Sequence, residues 1–118
     1  MIKLKNVYLS PSKEDGERIL IERLWPQDAD VYLLKIHRWL KDLAPSYALL
    51  EGLKEHSGDR AWFNTAYLKE LEESEKRKLL EELSVKGKET TVTLLCRETQ
   101  CDESPAAVIY GLLRQRCG

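Results

Sequence analysis

Gly16-Glu17-Arg18-Ile19-Leu20-Ile21-Glu22-Arg23-Leu24-Trp25-Pro26 is the stretch from which the fold is read. Its centre, Ile19-Leu20-Ile21, is an unbroken apolar run, the mark of a strand covered on both faces. Asp15-Gly16 before it is a turn signal. Pro26 closes the strand, because proline has no amide to donate to a ladder. Both-face burial points to helices on either side of a sheet.

The flanking sequence fills in that picture. Ile2, Leu4, Asn6 and Tyr8 alternate with Lys3, Lys5, Val7 and Leu9, which predicts a half-buried first strand. After Pro26, Asp28 or Asp30 is expected to cap a helix with a Leu33, Ile36, Leu40, Leu43 stripe, ended by Pro45. Ser46 then caps a second helix that stops at Ser57-Gly58. Asp59 caps a third, burying Phe63, Tyr67 and Leu71. Residues 68–89 hold six Lys/Arg and seven Asp/Glu with alternating signs, the pattern of a solvated helix face. Glu72 with Lys76 and Glu73 with Arg77 have supporting spacing, unless a break near Ser74 divides the helix. Gly87 is read as its end. Thr91-Val92-Thr93-Leu94-Leu95 is a β-prone strand. A polar loop from Arg97 to Glu103 leads to Ser104-Pro105, cap and first residue of a last helix with Val108, Ile109, Leu112 and Leu113 at helical spacing. The expected fold is one α/β domain over residues 1–118, with a small, at least partly parallel sheet flanked by helices. The link between the first two strands is also compatible with a hairpin.

Composition excludes several classes. With 19 Lys+Arg against 20 Asp+Glu the net charge is −1, which argues against a dedicated nucleic-acid binder. No apolar run reaches the ~18 residues of a membrane span. Met1-Ile2-Lys3-Leu4-Lys5 lacks the apolar stretch of a signal peptide, so a cytosolic location is expected. Three cysteines are an odd count, and in a reducing cytosol they are expected to be free thiols. His37 and His56 have no Cys-x-x-Cys partner, so neither a metal site nor a cofactor is expected. Oligomeric state stays open.

Two segments carry a family resemblance. Gly16 to Pro26 resembles the Gly-x-Arg-Val-Leu-Val-Asp-Arg-Leu-Trp-Pro signature of the YeaO-like family, domain of unknown function 488. Trp39-Leu40-Lys41-Asp42-Leu43-Ala44-Pro45-Ser46 is similar to its second signature almost letter for letter. Tyr67 to Leu71 and Thr93-Leu94-Leu95 also fall where the family places them. The resemblance implies a three-layer, Rossmann-like α/β fold more than an activity. The chain departs from the pattern at Glu22, where the family has Asp, and at Gln27-Asp28, where it has Arg-Gly. Ser104-Pro105 stands where the family often carries His-Asn.

Ligands of open α/β sheets gather at the carboxyl ends of parallel strands. One strand here ends in Glu22-Arg23-Leu24-Trp25-Pro26 and another in Cys96-Arg97-Glu98. If the two run side by side in one direction, a carboxylate, two guanidinium groups, an indole and a thiol share one crevice. Arginine forks suit phosphate or carboxylate, and an indole suits a ring. The expected function is therefore binding of a small anionic, phosphate-bearing or nucleotide-like ligand. Arg18, Arg23, Trp25, Lys41 and Arg97 are its candidate contacts, and Glu22 is the general base if chemistry occurs. The duller readings are an Arg23–Asp42 ion pair, tryptophans 25 and 39 in the core, and Lys41-Asp42 as a polar helix end.

One alternative is a thiol-dependent enzyme with Cys96 as nucleophile and Cys101 as resolving partner. Arg97 and a following helix would favour the thiolate. Against it stand Asp102, where a phosphatase loop carries arginine, and the lack of a nearby histidine. The other alternative is a non-enzymatic interaction module using an exposed helix face.

Overall fold

The computed structural model describes residues 1–26, 31–97 and 101–117. Among these residues four strands form one sheet: β1 (Ile2–Asn6), β2 (Glu17–Leu20), β3 (Arg38–Trp39) and β4 (Val92–Cys96), in the order β1-β4-β2-β3. Every pairing is parallel, with Ile2 opposite Val92, Glu17 opposite Val92, and Ile19 opposite Arg38. The hairpin alternative is thereby removed, because β4 lies between β1 and β2. β4 is buried along its whole length, as a central strand covered on both faces should be.

The helices are α1 (Val31–Leu34), α2 (Tyr47–Glu55), α3 (Arg60–Glu70), α4 (Ser74–Glu89) and α5 (Pro105–Cys117). Strand alternation divides the interior in two. Ile2, Ile19, Ile21, Val92, Leu94 and Cys96 pack with Leu49, Phe63, Tyr67, Leu80, Leu83, Ile109 and Leu113 from α2–α5. On the opposite face Val7, Leu20 and Leu95 meet Ile36, with Leu34 and Trp25 against them. The sheet thus has a thick helical layer on one side and a thin one on the other. Among the described residues, no helix is long and apolar enough to cross a membrane.

The capping expectations hold. The Ser46 hydroxyl accepts from the Leu49 amide (3.1 Å), Asp59 from Ala61 (3.0 Å) and Trp62 (3.2 Å), and Ser104 from Ala107 (3.3 Å). Past the end of α2, Ser57 and Gly58 both adopt positive φ. α2 and α3 close on one another where Trp62 stacks on His56 (centroids 3.9 Å apart, planes 11° apart). A Cβ on Gly52 would collide with the same indole.

Four expectations are corrected. The helix carrying Leu33, Ile36, Leu40 and Leu43 is not continuous: α1 stops at Leu34, Lys35 turns to φ 49, and β3 follows. Strand pairing wins there, since the His37 amide donates to Arg18 and the Leu40 amide to Leu20 (both 2.9 Å). The expected caps Asp28 and Asp30 lie outside the described residues. The charged stretch does break before Ser74, and the ion pairs are Glu73–Lys76 (3.2 Å) and Glu75–Lys78 (3.8 Å). Gly87 does not end α4, which runs to Glu89 with Gly87 buried. Finally, Cys96 and Cys101 are not free thiols: a disulfide joins them, their Cα atoms 5.8 Å apart.

Candidate functional site at the strand tips

Because all four strands are parallel, their carboxyl ends open on one rim of the sheet. β2 finishes at Leu20 and the chain continues through Ile21, whose amide still donates to Leu95 (3.3 Å). Glu22 to Trp25 therefore emerge beside the end of β4. The Arg97 amide donates to Oε1 of Glu22 (3.3 Å), so the two tips are in direct contact.

The aromatic groups gather around that contact. Trp39 Nε1 donates to the Glu22 carbonyl (2.6 Å), and Trp25 meets Trp39 edge to face, with centroids 5.3 Å apart and planes at 64°. Trp25 leans one side on the thin-face core and leaves the other to solvent. Lys41 Nζ lies 5.4 Å from the Trp39 ring centroid. A cleft of about 620 Å³ opens here, lined by Tyr8, Leu24, Trp25 and Arg97. Its walls come from the exits of β1, β2 and β4.

Arg23 is occupied differently. Its Nε donates to Pro45 O (3.2 Å) and its Nη2 to Ala44 O (3.0 Å), with the guanidinium 5.5 Å from the Tyr47 ring centroid. Arg23 thus ties the β2 exit to the start of α2 through carbonyls, not through Asp42. Behind it the Tyr67 hydroxyl, fully buried, donates to Leu43 O. Burial, with the charges of Glu70 and Glu22, pushes that phenol far above its ordinary range. It is a fixed donor.

Arg18 lies away from the rim. It is 1% exposed, paired with Asp15 (2.6 Å), and its Nε donates to Leu34 O (3.0 Å) and Lys35 O (3.2 Å). Among the described residues, Nη2 of Arg18 has no hydrogen-bond partner. Cys96 is fully buried on the thick face and Cys101 is partly exposed. Glu98 lies outside the described residues.

The structure therefore brings Glu22, Trp25, Lys41 and Arg97 to one rim, engages Arg23 just below it, and separates Arg18. Tyr8 and Leu24 belong to the rim without having been singled out from the sequence, and Trp39, weighed there as a core residue, is exposed at the same rim. A parallel β1 would have signalled Tyr8, since the residue leaving that strand must reach the same edge. A second cleft, of about 650 Å³, lies where β1 begins and α4 ends, lined by Lys3, Lys88, Tyr110 and Arg114 among others. Although larger, it contains none of the strand-exit residues.

Residues 1–117 match the sequence profile of the inactive DUF488-N3 subclade. The uncharacterized protein YeaO of Escherichia coli (strain K12) is 32% identical over 114 residues, 96% of either chain. The uncharacterized protein Rv3073c of Mycobacterium tuberculosis (strain ATCC 25618 / H37Rv) is 30% identical over 115 residues, covering 98% of this chain and 95% of its own. No solved structure matches the chain.

Proposed function

We propose, for a chain that belongs to the YeaO-like DUF488 family, that the strand-tip cleft binds a small anionic, ring-bearing ligand without transforming it. The observation that carries this reading is the meeting of Arg97 and Trp25, from the exits of two parallel strands, in one cleft with Tyr8. Arg97 supplies a planar fork for phosphate or carboxylate, and Lys41 adds a second positive charge at the rim. Trp25 and Tyr8 offer flat walls to a ring. Arg23 supports the site by holding the β2 exit against Ala44 and Pro45. The matched subclade is described as inactive, which favours recognition over catalysis and weighs against a thiol enzyme built on Cys96.

A thermal-shift panel of nucleoside phosphates and sugar phosphates tests the reading. At least one compound should raise the melting temperature and quench Trp25 and Trp39 fluorescence in a Trp62→Phe background. Arg97→Gln should remove that shift and leave the ligand-free melting temperature within about 2 °C. Arg23→Gln should instead destabilise the ligand-free protein by about 1–2 kcal/mol, since two carbonyls lose a charged donor. A panel without a hit, or a hit that survives Arg97→Gln, would overturn the proposal.

A further inference from the structure

The Cys96–Cys101 bond sits one residue from Arg97, at the junction where the cleft walls meet. The Cys96 carbonyl accepts from the Val7 amide (2.8 Å), which fixes the β1 exit next to Tyr8. The following amide, that of Arg97, donates to Glu22 (3.3 Å) and fixes the β2 exit. Cys101 begins the short turn Cys101–Glu103, and its carbonyl accepts from the Ser104 amide (2.9 Å) and hydroxyl (2.5 Å) at the cap of α5. One covalent bond thus joins the β4 exit to the α5 entry. Cys101 is the partly exposed sulfur and Cys96 the buried one, so a reagent in solution reaches Cys101 first.

We propose that Cys96 and Cys101 form a reversible dithiol–disulfide couple, exchanging with low-molecular-weight thiols of the glutathione class, that sets how firmly Arg97 is held in the cleft. The consequence for binding rests on the ligand reading above; the redox chemistry does not. In reduction, a small thiolate attacks Sγ of Cys101, the Cys96–Cys101 bond breaks, and Cys96 leaves as a thiolate that takes up a proton. A second small thiol then attacks the mixed disulfide, freeing the Cys101 thiol and releasing the small-molecule disulfide. The protein sulfurs gain two electrons and the two thiols lose them. Oxidation by the small-molecule disulfide is the reverse. Opening the bond lets the β4 exit and the α5 entry separate, and the Arg97 amide loses its fixed place against Glu22.

The test uses the full chain with Cys117→Ser, so that only this pair remains. Equilibration in reduced and oxidised glutathione at graded ratios, followed by alkylation and intact-mass measurement, should show the bond opening and closing. Hydrogen exchange at the Arg97 and Val7 amides should be about tenfold faster in the reduced protein and return on reoxidation. Cys101→Ser should exchange at the faster rate in every buffer. A pair that stays reduced at the oxidising end, or exchange unaffected by its state, would overturn the proposal. AMP serves as the binding probe, with an apparent Kd expected to be about tenfold weaker after reduction. Equal affinity in the two states would overturn the link between the couple and the cleft. AMP binding to neither state would count against the ligand reading instead, and exchange at Arg97 then decides the couple alone.

Discussion

Asp15 is a heavily used carboxylate. Only 4% exposed, it accepts from Lys5 (2.9 Å), Arg18 (2.6 Å) and the Ser12 amide (3.0 Å), while its carbonyl accepts from Thr93 (2.6 Å). Burial alone would raise its pKa. The hydrogen bonds from Lys5, Ser12 and Arg18, with the charge of Lys5, outweigh that and hold it below the ordinary carboxylate value. A depressed native pKa stabilises the fold at pH above the ordinary carboxylate range, and the contribution is lost as pH falls through that range toward the native value. Urea midpoints should therefore be level from about pH 7 to about pH 5 and drop below about pH 4, with a shallower drop in Asp15→Asn. At neutral pH the same substitution leaves the buried Arg18 without its counter-charge and should cost about 3 kcal/mol in urea unfolding. The neighbouring Gly16 has φ 62, and a Cβ there would fall on the Thr91 carbonyl oxygen, which already accepts from Glu17 (3.1 Å). Since backbone stands on both sides of that clash, Gly16→Ala should cost about 2–3 kcal/mol by the same measurement.

Among the elements, those whose cause is local were legible. Ser46, Asp59 and Ser104 cap helices because a short polar side chain lies beside its own chain's free amides, which any sequence displays. Ser46 also donates to Glu70 (2.6 Å), so Ser46→Ala removes a cap and an inter-helix bond together. Calorimetry should register a loss of about 1–2 kcal/mol. β3 was illegible for the opposite reason. Its two residues carry no period of their own, and Leu33, Ile36, Leu40 and Leu43 have helical spacing. What decides is distant: β2 takes the His37 and Leu40 amides, and the Arg18 side chain takes the Leu34 and Lys35 carbonyls that a longer helix would have used. Lys35 absorbs the turn at φ 49. Lys35→Gly should therefore be neutral or stabilising by less than about 1 kcal/mol, whereas glycine inside a continuous helix would cost about that much.

For the whole molecule, the order β1-β4-β2-β3 is what gathers the rim, and only an at least partly parallel sheet was readable in advance. The apolar run at Ile19-Leu20-Ile21 announced a strand covered on both faces, and the parallel pairing with β4, which the sequence left as a condition, puts Glu22, Trp25 and Arg97 at one edge. Trp39 reached the same edge through β3, which the sequence hid, and Arg18 is away from it because it stands early in β2, held by Asp15 and the Leu34 and Lys35 carbonyls. Burial also ranks the strands. The amides of Leu94 and Leu95 in β4 should exchange only with global unfolding, and those of the two-residue edge strand β3 well before it, as hydrogen exchange followed by mass spectrometry would resolve. The seam between α2 and α3 has a consequence that reaches into ancestry. With the Trp62 indole lying where a Cβ on Gly52 would stand, position 52 cannot gain a side chain while the indole remains. Descendants that acquire a side chain at 52 must first, or simultaneously, surrender the indole at 62, so across the lineage a side chain at 52 and an indole at 62 should not be inherited together.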